Sequence, residues 1–166
     1  MALIKSLQSA VKSGKESDCD ALADYVDDVA ANLQGSSSAQ QIKGAISLLT
    51  PNQFPVYLIP GVSGNGQYQA LNPNGATSGF QGQYQDQILN ADQAHHFAAF
   101  FQIGFTYGAD AGASAASLWE KLEGTSNNVG DVNLGVVASR IGSYVASGVL
   151  PVDELGQTIR DSLCNH

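Results

Sequence analysis

Residues 92–108, DQAHHFAAFFQIGFTYG, form the most apolar and aromatic run of the chain. As a helix, this run places Phe97, Phe101 and Phe105 four residues apart on one stripe. A second stripe, about a quarter-turn away, contains His96, Phe100, Ile103 and Tyr107. A helix that is apolar around most of its circumference is buried, because a single covered face cannot hide that much surface. The segment therefore predicts a central buried helix with shorter helices packed around it.

Residues at the ends and inside this segment fit the same prediction. Asp92 is suited to be the N-cap, because its carboxylate can accept hydrogen bonds from the free amides of the first turn. Gly108 is suited to end the helix. Gly104 lowers the helix propensity, so we expect the backbone of another helix to approach closely at this position.

Apolar stripes and capping residues predict further helices before and after this segment, about seven helices in all. The predicted helices are residues 2–12, one starting at Ser17, one capped by Ser38 and ended by Pro51, one over 110–123, one capped by Asp131 and ended by Gly148, and one after Pro151. In the helix over 110–123, the expected inward residues are Ala111, Ala115, Leu118, Trp119 and Leu122. The sequence thus predicts a mainly α fold in which residues 1–166 form a single domain.

Residues 51–90 differ in kind from the rest of the chain. They hold four of the five prolines and six glycines, a composition that predicts a long irregular loop. Aromatic residues are scattered through this segment, whereas disordered tracts are poor in aromatics. We therefore expect the loop to pack on the helices and to offer Tyr57, Tyr68 and Tyr84 as a recognition surface.

The charge of the chain limits its partners. The net charge is −8, and only 13% of the 166 residues are charged, about half the usual share. Without a basic patch, we expect no binding to nucleic acid or to an anionic membrane surface. No apolar run is long enough to span a bilayer, and residues 1–12 lack the apolar core of a signal peptide. These features predict a cytoplasmic protein or one exported by a route that needs no signal peptide.

Cys19 and Cys164, the two cysteines, lie near opposite ends of the chain. Two thiols are too few for a disulfide-rich scaffold or a structural zinc site. Two interpretations follow: a pair of buried free thiols, or a bridge that closes a loop of nearly the whole chain.

His96 is the strongest candidate for chemistry, because it lies on the inner stripe of the central helix. It is either a hydrogen-bonded core histidine or a general acid or base. A catalytic histidine needs an orienting carboxylate, and Asp131 and Glu120 on neighbouring helices are the candidates; their alternative roles are an N-cap and an exposed helix residue. His95 points about 100° away from His96 on a helix, so the pair is not expected to chelate one metal.

The remaining motifs add no chemistry. The chain has no Gly-x-Ser-x-Gly nucleophile motif and no phosphate-binding glycine loop, and we expect neither a metal nor a cofactor. The acidic side of the helix starting at Ser17 is interpreted as a solvated face rather than a calcium site.

Several short motifs occur in a recognisable order along residues 17–147. They are Cys19-Asp20-Ala21-Leu22-Ala23, Gly79-Phe80 with Asp86, Asp92-Gln93, His96-Phe97, Glu120 and Gly130-Asp131-Val132-Asn133-Leu134-Gly135. This order resembles small helical domains at the ends of bacterial polymorphic-toxin and Rhs-type secreted proteins. In those domains a basic residue usually precedes His-Phe, whereas His95 stands at that position here. The resemblance implies export and an effector-associated role, and it draws attention to Gln93, His96, Asp131 and Asn133.

Three hypotheses of function follow. The first is a non-catalytic protein-interaction or effector-associated helical domain of an exported system, with Gln93, His95, Asn133 and the three tyrosines as binding residues. The second is a small hydrolase-like effector that uses His96 with Asp131 or Glu120. The third is a self-assembling structural protein, in which the partner is another copy of the chain.

Overall fold

The computed structural model describes residues 2–33, 35, 37–51, 60, 70–72, 78–85, 93–123 and 128–165, without the side chains of residues 120, 122 and 123. Seven α-helices occur in these ranges, which confirms the predicted mainly α fold. They are α1 (Ala2–Lys12), α2 (Asp18–Ala30), α3 (Ser38–Ser47), α4 (Gln93–Tyr107), α5 (Ala109–Glu123), α6 (Val129–Ser147) and α7 (Leu155–Leu163). Two short 3-10 helices span Gly82–Tyr84 and Val152–Glu154.

Helix α4 is the predicted central helix, and twelve of its fifteen residues are buried. Phe97 and Phe101 are fully enclosed, and their rings lie 5.8 Å apart between centroids. The helix ends before Gly108, whose φ of 92° is the left-handed conformation that glycine adopts most easily. Asp92, the predicted N-cap, lies outside the described residues. In the first turn of α4, the Ala94 amide donates to Asp18 Oδ2 at 3.4 Å.

Helices α4 and α6 run parallel and in close contact. His96 meets Asp131 near the start of both helices, and Phe105 meets Gly142 near their ends. A Cβ atom on Gly104 would lie 1.9 Å from the Ser139 carbonyl oxygen. The backbones of α4 and α6 therefore approach each other closely at Gly104, where no side chain separates them. This contact confirms the close helix approach that Gly104 predicted.

Helix α5 lies between α4 and α6 in the chain and runs antiparallel to both. Its buried residues include Gly112, beside Ser139, and Ala116, beside Gly135. The inward face predicted for this helix was therefore wrong at Ala111 and Leu118, both of which are exposed. Small residues face inward because α5 packs tightly against α4 and α6, which rotates Leu118 outward.

The N- and C-terminal parts of the chain meet at α2 and α7. Ser17 caps α2 as predicted, by accepting a hydrogen bond from the Asp20 amide at 3.1 Å. Arg160 of α7 donates to Asp27 Oδ2 at 2.6 Å and also to Asp24 Oδ1, so the acidic face of α2 is partly neutralised rather than only solvated. The predicted cap of α3 was wrong, because the helix already includes Ser38 and follows Ser37.

Cys19 and Cys164 form a disulfide with their Cα atoms 5.6 Å apart. Both residues are buried, and Phe80 forms an isolated antiparallel bridge with Cys164. The bridge joins the first turn of α2 to the residue that follows α7.

The described part of residues 51–90 packs on the helices, as predicted for this loop. Leu71 and Phe80 are fully buried, and the Ala70 carbonyl accepts a hydrogen bond from Gln8 Nε2 at 2.6 Å. Only Gly82–Tyr84 forms a helical turn in the described part of this segment.

Candidate functional site

A buried polar cluster joins the first turns of α4 and α6, and Asp131 is at its centre. Asp131 Oδ1 accepts a hydrogen bond from Gln93 Nε2 at 3.0 Å, and Oδ2 accepts one from Asn128 Nδ2 at 2.7 Å. His96 Nε2 lies 3.5 Å from Asp131 Oδ2. These four residues are between 1% and 6% exposed. We refer to Gln93, His96, Asn128 and Asp131 as the His–Asp cluster.

The position of Asp131 differs from the predicted one. It is the third residue of α6 rather than the N-cap, because the helix begins two residues earlier at Val129. A carboxylate in the first turn interacts favourably with the positive end of the helix dipole. From this position the side chain also faces α4, which explains how it meets Gln93 and His96.

The His–Asp cluster is bordered by residues 82–85. The Tyr84 carbonyl accepts a second hydrogen bond from Gln93 Nε2 at 2.6 Å, and the Gln83 carbonyl accepts one from Asn133 Nδ2 at 3.1 Å. A Cβ atom on Gly130 would lie 1.9 Å from the Gln85 carbonyl oxygen. Three of the predicted binding residues, Gln93, Asn133 and Tyr84, therefore come together here, and Tyr84 contributes its backbone.

The two histidines lie side by side. The rings of His95 and His96 are 4.3 Å apart between centroids and tilted by 38°. His95 is only partly buried. Within the described ranges, no group of three or more His, Cys, Asp or Glu residues is arranged to hold a metal ion.

Glu120 is the third predicted catalytic residue. It lies one helical turn beyond Ala116, which packs beside Gly135, and Asp131 lies one turn before Gly135. Because α5 and α6 run in opposite directions, the backbone of Glu120 is level with Asp131. Its side chain is outside the described part of the structure, as are Tyr57 and Tyr68 altogether.

Sequence reasoning missed Asp18 and Asn128. Asp18 is fully buried and accepts the Ala94 amide hydrogen bond described above. Its position four residues before Leu22, on the apolar stripe of α2, was the available signal. Nothing in the sequence distinguished Asn128 from its neighbouring asparagine.

A second polar cluster surrounds Arg160 on the outside of α2 and α7. Glu16 lies here beside Asp20 and Asp24. Partial burial, a hydrogen bond with Asp24 and the two neighbouring carboxylates raise the pKa of Glu16 to about 7, although Arg160 acts in the opposite direction. The guanidinium is held by Asp24 and Asp27, which raise the pKa of Arg160 and outweigh the effect of its partial burial.

Two surface features lie away from these clusters. A cleft of ≈ 370 Å³ separates the end of α2 from Pro151, Val152 and Asp153, and it contains none of the predicted site residues. At the end of the bundle where α4 and α6 terminate, Tyr107 and Tyr144 are 46% and 44% exposed, and Val149 is 69% exposed. We refer to Tyr107, Tyr144 and Val149 as the aromatic end.

Comparison with known proteins adds no relative from which a role can be transferred. No protein-family model, curated protein or solved structure matches this chain. Among the described helices, none is both long and apolar enough to cross a membrane.

Proposed function

We propose that this chain is a non-catalytic interaction domain of an exported system, and that it binds a basic protein through the aromatic end. The observation that carries this proposal is the arrangement around Asp131. Its carboxylate already receives two amide hydrogen bonds and lies beside His96 in an enclosed setting. Buried polar networks fix the geometry of a fold through their paired members. In the His–Asp cluster, Gln93 Nε2 and Asn128 Nδ2 are paired with Asp131, whereas Gln93 Oε1 is buried without a hydrogen-bond partner among the described residues. The paired contacts hold α4 to α6, and we therefore assign binding to the surface.

The aromatic end has the composition of a binding surface. Tyrosine is enriched at protein interfaces, where its large ring contributes contact area and its hydroxyl a hydrogen bond. Tyr144 lies in the last turn of α6, and Val149 comes immediately after Gly148, the C-cap of that helix. Tyr107 lies at the corresponding end of the parallel helix α4, and its hydroxyl already donates to the Pro60 carbonyl. Its ring is therefore the part that a partner would contact.

The net charge favours a basic partner over a second copy. At −8, two copies of the chain repel each other, whereas a positively charged protein is attracted and associates faster. This attraction comes from the chain as a whole, since Lys43 donates to Thr106 beside Tyr107 at the aromatic end itself. The disulfide supports export, because such bonds persist in oxidising compartments and are rare in the reducing cytosol.

Photo-crosslinking tests this proposal. A photoreactive amino acid is placed at position 107 or 144, and at the exposed Lys5 of α1 as a control, in cells that produce and export the chain. We expect one basic protein to be captured from positions 107 and 144 but not from position 5. An adduct of twice the mass of the chain would support self-assembly instead and contradict the proposed partner. Equal capture from all three positions, or none, would contradict the binding surface.

A second candidate function is acid–base catalysis by His96. The 3.5 Å separation of His96 Nε2 and Asp131 Oδ2 is the observation that favours it, because an orienting carboxylate beside a histidine is the usual arrangement of a catalytic base. Purified protein is assayed against ester, peptide and glycoside substrates, with His96→Gln as the comparison. Hydrolysis that disappears in a folded His96→Gln variant would establish this function and displace the first. An activity equal in both proteins, or no activity, counts against catalysis.

A further inference from the structure

The disulfide is the anchor of a chain segment that reaches the His–Asp cluster. Residues 78–85, which we call the strap, lie between α2 and the C-terminal residues. The Cys19 amide donates to the Ser78 carbonyl at 3.0 Å, and the Gln81 amide donates to the Leu163 carbonyl at 2.8 Å. The Asn165 amide donates to the Gly79 carbonyl at 2.7 Å. The first half of the strap is therefore held on one side by Cys19 itself and on the other side by the two neighbours of Cys164.

Close packing fixes the strap in this position. Phe80 is fully buried, and its carbonyl accepts hydrogen bonds from the side chains of Asn165 and Gln85, at 2.8 and 2.7 Å. Gly79 has a φ of 68°, and a Cβ atom there would lie 2.0 Å from Ser17 Oγ. The strap thus fits against the start of α2 without room for a side chain at position 79.

The second half of the strap supports the His–Asp cluster. Gln93, which binds Asp131, donates to the Tyr84 carbonyl at 2.6 Å, and Gly130 packs against the Gln85 carbonyl. A shorter connection runs through Asp18, the neighbour of Cys19, which accepts from the Ala94 amide at the start of α4. Two series of contacts, one through the strap and one through Asp18, therefore connect the disulfide to the first turns of α4 and α6.

From these contacts we infer that the Cys19–Cys164 disulfide is a redox switch for the His–Asp cluster. A dithiol reductant breaks the S–S bond by thiol–disulfide exchange: it transfers two electrons and two protons to give the two cysteine thiols, and it becomes a disulfide itself. The strap then loses its anchor, and the first turns of α4 and α6 lose the support of the strap. The oxidised form is the ordered one, so the cluster is complete only after the chain has reached an oxidising compartment. This inference does not depend on what the aromatic end binds.

Hydrogen exchange followed by mass spectrometry distinguishes this switch from a disulfide that only stabilises the whole fold. The oxidised protein is compared with the protein reduced by dithiothreitol. We expect protection in residues 78–85 and 93–97 to fall at least about tenfold more than protection in residues 139–147, because the coupled region opens locally. A fall by one common factor throughout the chain would overturn the inference, and so would an unchanged strap.

The reciprocal experiment uses the protein whose reduced form is folded, because a loss of stability common to both redox forms then cancels from the exchange equilibrium. Coupling between two sites acts equally in both directions, so damage to the cluster must make the disulfide easier to reduce. We expect Gln93→Ala to shift the exchange equilibrium with dithiothreitol by about fivefold or more toward the dithiol. Val145→Ala, a buried substitution at the far end of α6, is the control for a general loss of stability and should shift it less than about twofold. Equal shifts in the two variants would contradict the coupling.

Discussion

Asp131 accepts hydrogen bonds from α4 and from the residue that precedes α6. Gln93 lies in α4 and Asn128 lies just before α6, and both donate to this one carboxylate. His96 is close enough to interact with it as well. Loss of the carboxylate therefore leaves several buried polar groups with fewer partners, which is more costly than the loss of one exposed hydrogen bond.

The first prediction concerns this carboxylate. We expect Asp131→Ala to lower the free energy of unfolding by about 2–4 kcal/mol, because it leaves buried donors unsatisfied. Asp110→Ala, at an exposed position in the first turn of α5, is the control and should change it by about 0.5 kcal/mol or less. Urea denaturation measures both. Equal effects would show that Asp131 is not a structural centre.

Glu16 makes stability depend on pH. Its pKa in the folded chain is raised from 4.5 to about 7, so the native state holds this proton more tightly than the unfolded state does. The resulting stabilisation is complete below pH 4.5 and is lost as pH rises through 7. Wild-type protein should thus lose more stability between pH 5 and 7.5 than Glu16→Gln, which cannot ionise. The denaturation midpoints of wild type and Glu16→Gln are measured at both pH values. Equal losses of stability in the two proteins would contradict the role of Glu16.

At the scale of helices, small residues decide how α4, α5 and α6 pack. Gly104 faces the Ser139 backbone, Gly142 faces the Phe101 carbonyl, and Gly112 faces the Ser139 side chain. Close packing of this kind forms many dispersion contacts between backbones. The same closeness makes the interface intolerant of added volume.

Gly104→Ala tests this packing. Its Cβ would lie 1.9 Å from a backbone oxygen of α6, so the helices must move apart, and we expect a loss of about 1–3 kcal/mol in the free energy of unfolding. Gly44→Ala is the matched control in the exposed interior of α3, where nothing lies within 4 Å. There the better helix propensity of alanine should stabilise the protein by about 0.5–1 kcal/mol. Thermal unfolding should therefore show a lower free energy of unfolding for Gly104→Ala and a higher one for Gly44→Ala.

The sequence was most informative where hydrophobic periodicity was continuous. The aromatic stripes of α4 predicted its burial, and Gly104 predicted a close helix contact. The inward face of α5 was predicted correctly at Ala115 and Trp119, which pack against the core, and wrongly at Ala111 and Leu118. Its alanines and glycines carry little periodic signal, and its orientation depends on the shape of the partner helices. Asp131 was assigned to the wrong capping position because α6 begins with Val129 and Gly130, which have no capping signal. Sequence spacing therefore brought His96 and Asp131 together as candidates, whereas Asp18 and Asn128 required tertiary contacts.

At the scale of the whole molecule, the disulfide closes nearly the entire chain. The two cysteines are 145 residues apart, a separation that gives a large loop-entropy effect on the unfolded state. The C-terminal residues also pair with the strap, so the bond both limits the unfolded chain and orders a local region of the folded one.

Removal of the disulfide by Cys19→Ala with Cys164→Ala should lower the free energy of unfolding by roughly 4–5 kcal/mol in the loop-entropy model. Guanidinium denaturation of this double variant and of the oxidised wild type measures the difference. The difference in free energy of unfolding between oxidised and reduced wild-type protein gives a second measure of the same effect. A loss below about 1 kcal/mol would mean that the unfolded chain gains little freedom when the bond is absent.

The division of roles between the His–Asp cluster and the aromatic end is tested most directly by the affinity of the captured partner for two folded variants. We expect Tyr144→Ala to weaken binding at least about tenfold, as is usual for an aromatic residue at the centre of an interface. We expect His96→Gln, at the opposite end of α4, to change the affinity less than about threefold under conditions where both variants are folded. Strong weakening by His96→Gln with no effect of Tyr144→Ala would contradict it.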